Sequence, residues 1–220
     1  MRRLALFLVV ATGLPTAVRA QACVGSVSFA TVPARIGGGA IFGEDYTAYA
    51  ASLIAGRESS VFGDVGVARI YADGFDDTED QLFADVGYQR SLGQRAQLCP
   101  VIGAGIGSGP DDGGFDVQSR FASAGLALGL TYRPAPSVRI IPNGTLRFQY
   151  AASDLTDPAG VEETFSDTFG IGDIGLGLIF FGDRLAIQPR MQIPFGADDN
   201  SVSYGVSVSI GFGVRRQLSR

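Results

Sequence analysis

The stretch from Ser201 to Val214 reads SVSYGVSVSIGFGV, with an apolar residue at every second position. Successive side chains of a β-strand point to opposite faces, so this pattern predicts one strand with an apolar face and a face of serine and glycine. A soluble protein turns its apolar face inward and places charged residues on the other face, but here the second face carries no charge. The stretch therefore favours a strand whose apolar face meets lipid.

The first 20 residues, MRRLALFLVVATGLPTAVRA, have the pattern of a secretory signal peptide. Arg2 and Arg3 precede an apolar run, and small residues allow cleavage after residue 20 or 22. The run is too short for the alternative, a helix that spans a membrane. The mature chain then has a domain over 24–214 and a short periplasmic tail over 215–220. Loss of three leader arginines changes the formal net charge from −5 to about −8, which makes nucleic acid a poor partner.

Ten strands are predicted from short apolar or alternating runs. Their ranges are 34–43, 46–57, 60–71, 81–92, 96–107, 115–133, 137–150, 164–182, 184–196 and 201–214. Tight connections alternate with longer ones, which is typical of an antiparallel up-and-down barrel in a bacterial outer membrane. The fold class is therefore all-β, with eight strands as the alternative count and both termini periplasmic. In the third range, Asp64 and Arg69 fall on opposite faces, which predicts a β-bulge or a misplaced boundary.

Acidic residues concentrate at one end of the predicted strands, in the longer connections, and indicate acidic extracellular loops. They are Asp73, Asp76, Asp77, Glu79, Asp80, Asp111, Asp112, Asp154, Asp157, Glu162, Glu163, Asp198 and Asp199. A solvated surface is the ordinary role of such residues. The functional alternative is binding of a surface partner.

The two cysteines, Cys23 and Cys99, fall at the end of the barrel that has the tight connections. An exported chain matures in an oxidising compartment, so a disulfide between them is the natural prediction. Two free buried cysteines are the alternative.

A small barrel is filled by its inward side chains, and several polar residues alternate with the apolar ones along the strands. The candidates for this polar network in the lumen are Arg35, Asp85, Gln89, Arg147, Gln149, Asp173, Gln188, Arg190 and Gln192. They would either hold the register by hydrogen bonds and ion pairs or line a narrow charged pore. Ten strands lie near the filled limit, so the network is favoured over the pore.

The composition argues against an enzyme. The chain contains no histidine, and all of its basic residues are arginine. A histidine base and a serine–lysine pair are therefore both excluded. The segment Gly103–Gly109 reads GAGIGSG, which predicts a strand face of small residues rather than a dinucleotide-binding turn. We expect no catalytic residue, no cofactor and no metal site.

The strand and connection pattern over most of 24–214 resembles the small outer-membrane β-barrels of the OmpA/OmpX/Opa-like "porin family" group. The resemblance implies insertion by the barrel-assembly machinery and contact with outer-membrane lipid and lipopolysaccharide. No peptidoglycan-binding domain is expected after the barrel.

The expected function is that of a structural envelope protein in the outer membrane, with at most narrow porin-like permeation. One alternative is a surface-interaction or adhesion protein that acts through its acidic extracellular loops, with an unknown partner. A second alternative is a secreted soluble β-barrel.

Overall fold

The computed structural model describes residues 23, 25, 29, 32–57, 60–72, 78–93, 95–109, 116–196 and 201–213. The predicted signal peptide and C-terminal tail lie outside these residues. Within them the regular structure is β1 (Ala34–Phe42), β2 (Tyr46–Gly56), β3 (Val61–Ala72), β4 (Thr78–Tyr88), β5 (Arg90–Leu92), β6 (Ala96–Ser108), β7 (Asp116–Leu130), β8 (Tyr132–Ala135), β9 (Val138–Thr156), β10 (Glu162–Phe180), β11 (Leu185–Phe195) and β12 (Ser203–Phe212). Among the described residues, no helix is long and apolar enough to cross a membrane.

The strands close into one antiparallel barrel. Within the described chain, ten long strands form the wall, while β5 and β8 are short extensions that pair with β6 and β9. Strand β1 pairs with both β2 and β12, which closes the sheet. Following the register from Tyr49 reaches Asp154 of β9 in one direction and Pro142 in the other, a stagger of 12 residues. Such a stagger requires strands tilted by about 40° to the barrel axis. The predicted all-β fold and strand count are confirmed.

The outer face of the wall is an apolar belt. In β12, Tyr204, Val206, Val208, Ile210 and Phe212 are exposed, whereas the serines and glycines between them face inward. The same alternation runs through the other long strands, with residues such as Ile102 and Phe148 about 60% exposed. Large apolar side chains exposed all round a closed barrel are what a lipid environment requires.

The prediction of a bulge in the third strand is wrong. The register of β3 with β2 and with β4 runs without a shift from end to end. Asp64 points into the lumen and Arg69 points outward, so both faces carry a charge. Arg69 is accommodated on the outside because it lies beyond the apolar belt, where Asp80 of the neighbouring strand pairs with it.

Several acidic residues predicted in loops lie in strands instead. Glu79 and Asp80 belong to β4, Asp154 to β9, and Glu162 and Glu163 to β10. Strands β9 and β10 form a hairpin that extends past the belt, and its pairing runs without a gap from Arg139↔Ile179 to Thr156↔Glu162. Backbone pairing overrides the low strand propensity of acidic residues here.

Among the predicted loop residues, Asp157 does lie in a connection. Its carboxylate accepts the backbone N–H groups of Ala159 and Val161 and so organises the turn. The other predicted loop acids lie outside the described residues. They are Asp73, Asp76, Asp77, Asp111, Asp112, Asp198 and Asp199.

Candidate functional site

The base of the lumen, at the end with the tight connections, contains buried residues that precede β1 in the chain. Cys23 and Phe29 are fully buried and pack with Phe62, Cys99 and Val101 from the barrel wall. The rings of Phe29 and Phe62 have centroids 6.3 Å apart. We call Cys23, Phe29 and Val32 the plug.

A disulfide fixes the plug to the wall. The sulfur atoms of Cys23 and Cys99 are bonded, and the two residues are separated by 76 positions in the sequence. Cys99 lies on the inner face of β6, so this bond holds Cys23 inside the lumen. The sequence predicts Cys23 near this end of the barrel but not inside it. The signal that could have shown it is the alternation of β6, which puts Cys99 on the inner face with Val101 and Gly103.

Glycines on the inner face make room for the plug. A Cβ at Gly56 would overlap the ring of Phe29, and a Cβ at Gly211 would overlap a methyl group of Val32. A Cβ at Gly25 would overlap the side-chain amide groups of Gln188 and Asn143, and φ there is +65°, a conformation that favours glycine. The base is therefore closely packed around Phe29 and Val32.

Above the plug lies a polar chamber of about 630 Å³. Seven of the nine lumen candidates line it, and so does Asp64, which was not among them. The seven are Asp85, Arg147, Gln149, Asp173, Gln188, Arg190 and Gln192.

An ion pair crosses the chamber. The Arg147 guanidinium donates to Asp85 over 2.6 Å, and each side chain keeps 22% of its surface exposed. Asp85 lies directly opposite Asp64 in the pairing of β3 and β4. Two like charges in this position repel, so Arg147 offsets a repulsion that the register creates.

The other two candidates, Arg35 and Gln89, are buried at the base and do not line the chamber. The Arg35 guanidinium donates to the backbone carbonyl of Asp183 over 3.0 Å and to the Ser209 hydroxyl over 3.3 Å. Asp183 lies in the turn between β10 and β11 with φ of 77°, and its carboxylate pairs with Arg139 at 2.9 Å. Arg35 therefore helps to hold a strained turn under the barrel.

The upper wall of the chamber carries two phenyl rings that lie over glycines. The ring of Phe83 occupies the space where Gly66 would carry a Cβ, and the ring of Phe121 does the same at Gly105. Both residues line the chamber. Because each ring lies against the wall, the centre of the lumen is left free.

A polar row encircles part of the outside, beyond the belt. The register aligns its members across six strands as Arg69, Asp80, Ser108, Gln118, Asp154 and Thr164. Arg69 forms two hydrogen bonds of 2.7 Å to Asp80. The Thr164 hydroxyl and the Arg120 guanidinium donate to Asp154, which holds the pKa of that carboxyl below its usual range.

Known structures of similar shape are transmembrane barrels. The translocator domain of the autotransporter NalP from Neisseria meningitidis matches with a TM-score of 0.53 and 12% sequence identity, over 96% of this chain and 94% of that domain. Ail, the attachment invasion locus protein of Yersinia pestis, matches with a TM-score of 0.41 and 11% identity, over 82% and 97% of the two chains. The N-terminal β-barrel domain of Pseudomonas aeruginosa OprF matches with a TM-score of 0.33 and 13% identity, over 81% and 96%. No protein-family model and no curated protein matches the chain.

At these identities the likeness concerns the fold alone. The fold, however, decides the environment, because a closed barrel with an apolar outer belt leaves no backbone group unpaired toward lipid. The chain is a bacterial outer-membrane β-barrel.

Proposed function

We propose that this outer-membrane β-barrel is a non-enzymatic structural component of the envelope, with at most narrow permeation through its lumen. The observation that carries the proposal is the plug, because Cys23 and Phe29 fill the base and a covalent bond retains them there. A barrel of eight strands is just filled by its own side chains, and open aqueous channels need about sixteen. A ten-stranded barrel that also contains a plug therefore resembles the barrels that are filled by side chains more than it resembles the open channels.

The absence of histidine and lysine from the sequence supports the non-enzymatic part of the proposal. Within the described residues there is also no group of three or more histidine, cysteine or acidic side chains that could hold a metal ion.

Single-channel recording in a planar bilayer tests the proposal. We expect the refolded mature protein to insert and to give no steps, or only small ones. The double variant Cys23→Ser/Cys99→Ser frees the plug and should give larger and more frequent steps. In that variant, Arg147→Ala and Arg190→Ala should shift the step size, because both residues line the chamber. Large steady steps from the disulfide-bonded protein would contradict the proposal.

A second candidate function, interaction at the cell surface, is supported by the hairpin of β9 and β10. From Glu162 to Phe169, β10 pairs with β9 only, because its pairing with β11 begins at Gly170. Within the described residues this leaves one edge of the strand open, and Phe165 on it is 58% exposed. An open edge with an exposed aromatic residue offers backbone groups to an extended partner segment.

A shortened hairpin separates the two candidates. Replacing residues 153–165 by a tight turn leaves the barrel wall below the polar row intact. Loss of binding to a surface partner, with unchanged resistance of the barrel to protease, would favour the second candidate. Unchanged binding would assign the hairpin a structural role.

A further inference from the structure

The chamber contains charged groups that the protein itself does not satisfy. Its lining carries three carboxylates, from Asp64, Asp85 and Asp173, and two guanidinium groups, from Arg147 and Arg190. Only Arg147 and Asp85 form an ion pair. One carboxylate oxygen of Asp64 and one of Asp173 are buried without a hydrogen-bond partner.

Arg190 is a cation in the same chamber as these unpaired carboxylate oxygens, and it has no close partner among the described residues. Among the described residues it forms no hydrogen bond and no ion pair, although it lies near enough to Asp64 to interact with it electrostatically. Buried polar groups normally have partners, so the two unpaired carboxylate oxygens, together with the half-buried Arg190 guanidinium in the same chamber, indicate a ligand that carries both charges.

The position of these groups defines the ligand further. Asp64 lies on β3, beside Phe83 on β4, whereas Arg190 and Asp173 lie on the neighbouring strands β11 and β10. The phenyl rings of Phe83 and Phe121 lie against the wall and offer flat apolar surface next to the charged groups. A ligand that fits has an ammonium group and an aromatic group at one end and a carboxylate at the other.

We propose that the chamber binds a short zwitterionic peptide with an aromatic N-terminal residue. Its ammonium group pairs with Asp64, its peptide N–H donates to Asp173, and its carboxylate pairs with Arg190. The aromatic side chain lies against Phe83, where face or edge contact is available. A chamber of about 630 Å³ is in the range of sites for small molecules and exceeds the size of a dipeptide. This inference goes beyond the structural role proposed above and does not require a channel.

Calorimetric titration of the refolded, disulfide-bonded protein in detergent micelles tests the site. The probe is the dipeptide phenylalanyl-alanine, compared with its N-acetyl form, its C-terminal amide and alanyl-alanine. We expect saturable binding of the probe and about tenfold or greater weakening for each of the other three, because each removes one charged or aromatic contact. No saturable binding of the probe, or equal binding of all four peptides, would overturn the proposal, since the chamber would then be a water-filled structural network.

Charge-neutral variants assign the contacts. Arg190→Gln should bind the free peptide and the amide equally, and Asp64→Asn should bind the free and the N-acetylated peptide equally. The matched control is Arg69→Gln on the outer face, which should keep the wild-type order of affinities. If Arg190→Gln still discriminates between acid and amide, the carboxylate contact is wrong. The wild-type titrations need no variant to fold, so they decide the existence of the site independently.

Discussion

The base and the chamber of this lumen are built by the same ten strands, yet they differ in almost every physical property. At the base, Phe29 and Phe62 pack around a buried disulfide. In the chamber, Asp64, Asp85 and Arg147 surround a cavity of about 630 Å³. The difference arises inside the barrel, from the plug and from the inward residues of the strands, because the outer face carries exposed apolar side chains throughout the wall.

This contrast separates two tasks within one barrel. Apolar packing and a covalent link supply stability at the base, where water is excluded. The chamber holds charges in a space that water can enter, which costs stability unless each charge finds a partner. If the lumen served stability alone, the apolar packing of the base could extend into the chamber as well.

The largest effect is expected at the base, from Cys23→Ser/Cys99→Ser. A disulfide that spans 76 residues restricts the unfolded chain, and its loss should lower the free energy of unfolding by about 4 kcal/mol in the chain-entropy model. Denaturant unfolding of the protein in lipid vesicles measures this quantity. The control is the wild-type protein under the same non-reducing conditions. An unchanged midpoint would show that packing of Phe29 alone retains the plug.

An intermediate effect is expected where the free space of the chamber depends on a glycine. Gly105→Val should displace the ring of Phe121 from the wall into the chamber and press on the Leu82 carbonyl oxygen, which together should lower the free energy of unfolding by about 1–3 kcal/mol. Gly63→Val is the matched control on the outer face, where the nearest atom to a new Cβ is 3.6 Å away. Its unfolding midpoint should stay close to that of the wild type. Equal effects of the two substitutions would mean that the wall, rather than the ring, sets the cost.

The features that could be predicted correctly from the sequence are those that follow from the two-residue alternation of a β-strand. Tyr204, Val206 and Val208 could be assigned to lipid because alternation by two fixes the face of every residue once one is known. The plug could not be predicted, since Phe29 and Val32 lie in an irregular segment with no period to read. The one feature of the sequence that indicates the plug is Cys99. Because Cys99 lies on the inner face of its strand, any disulfide partner of Cys99 must lie in the lumen.

Most of the residues that line the chamber could be predicted from the sequence, but their contacts and relative positions could not. Asp64 was not among the predicted lumen residues, and only the register shows that it lies inside, opposite Asp85, whereas Arg69 pairs with Asp80 on the outer face. Arg35 was predicted in the same network as Arg147, although it reaches down to the turn at Asp183. The position of a residue along the barrel axis depends on the stagger between neighbouring strands, and the sequence pattern of one strand does not show that stagger.

The smallest effect concerns the ion pair of the chamber. A double-mutant cycle with Arg147→Gln and Asp85→Asn should give a coupling free energy on the order of 1 kcal/mol, because both side chains are mostly shielded and joined by a charged hydrogen bond. The single variant Arg147→Gln should cost more than Asp85→Asn, since it leaves Asp85 directly opposite Asp64 without a cation. Unfolding midpoints of the four proteins in vesicles supply the cycle.

The outer pair of Arg69 and Asp80 provides the comparison for that cycle. Its two hydrogen bonds are 2.7 Å long, but both side chains are more than half exposed. Water and salt screen such pairs, so Arg69→Gln and Asp80→Asn should show no measurable coupling at physiological ionic strength. Salt titration sharpens the test, because coupling inside the lumen should persist where any outer coupling disappears. If both pairs respond equally to salt, the chamber is as open to solvent as the outer surface, and its unpaired charges would then need no ligand.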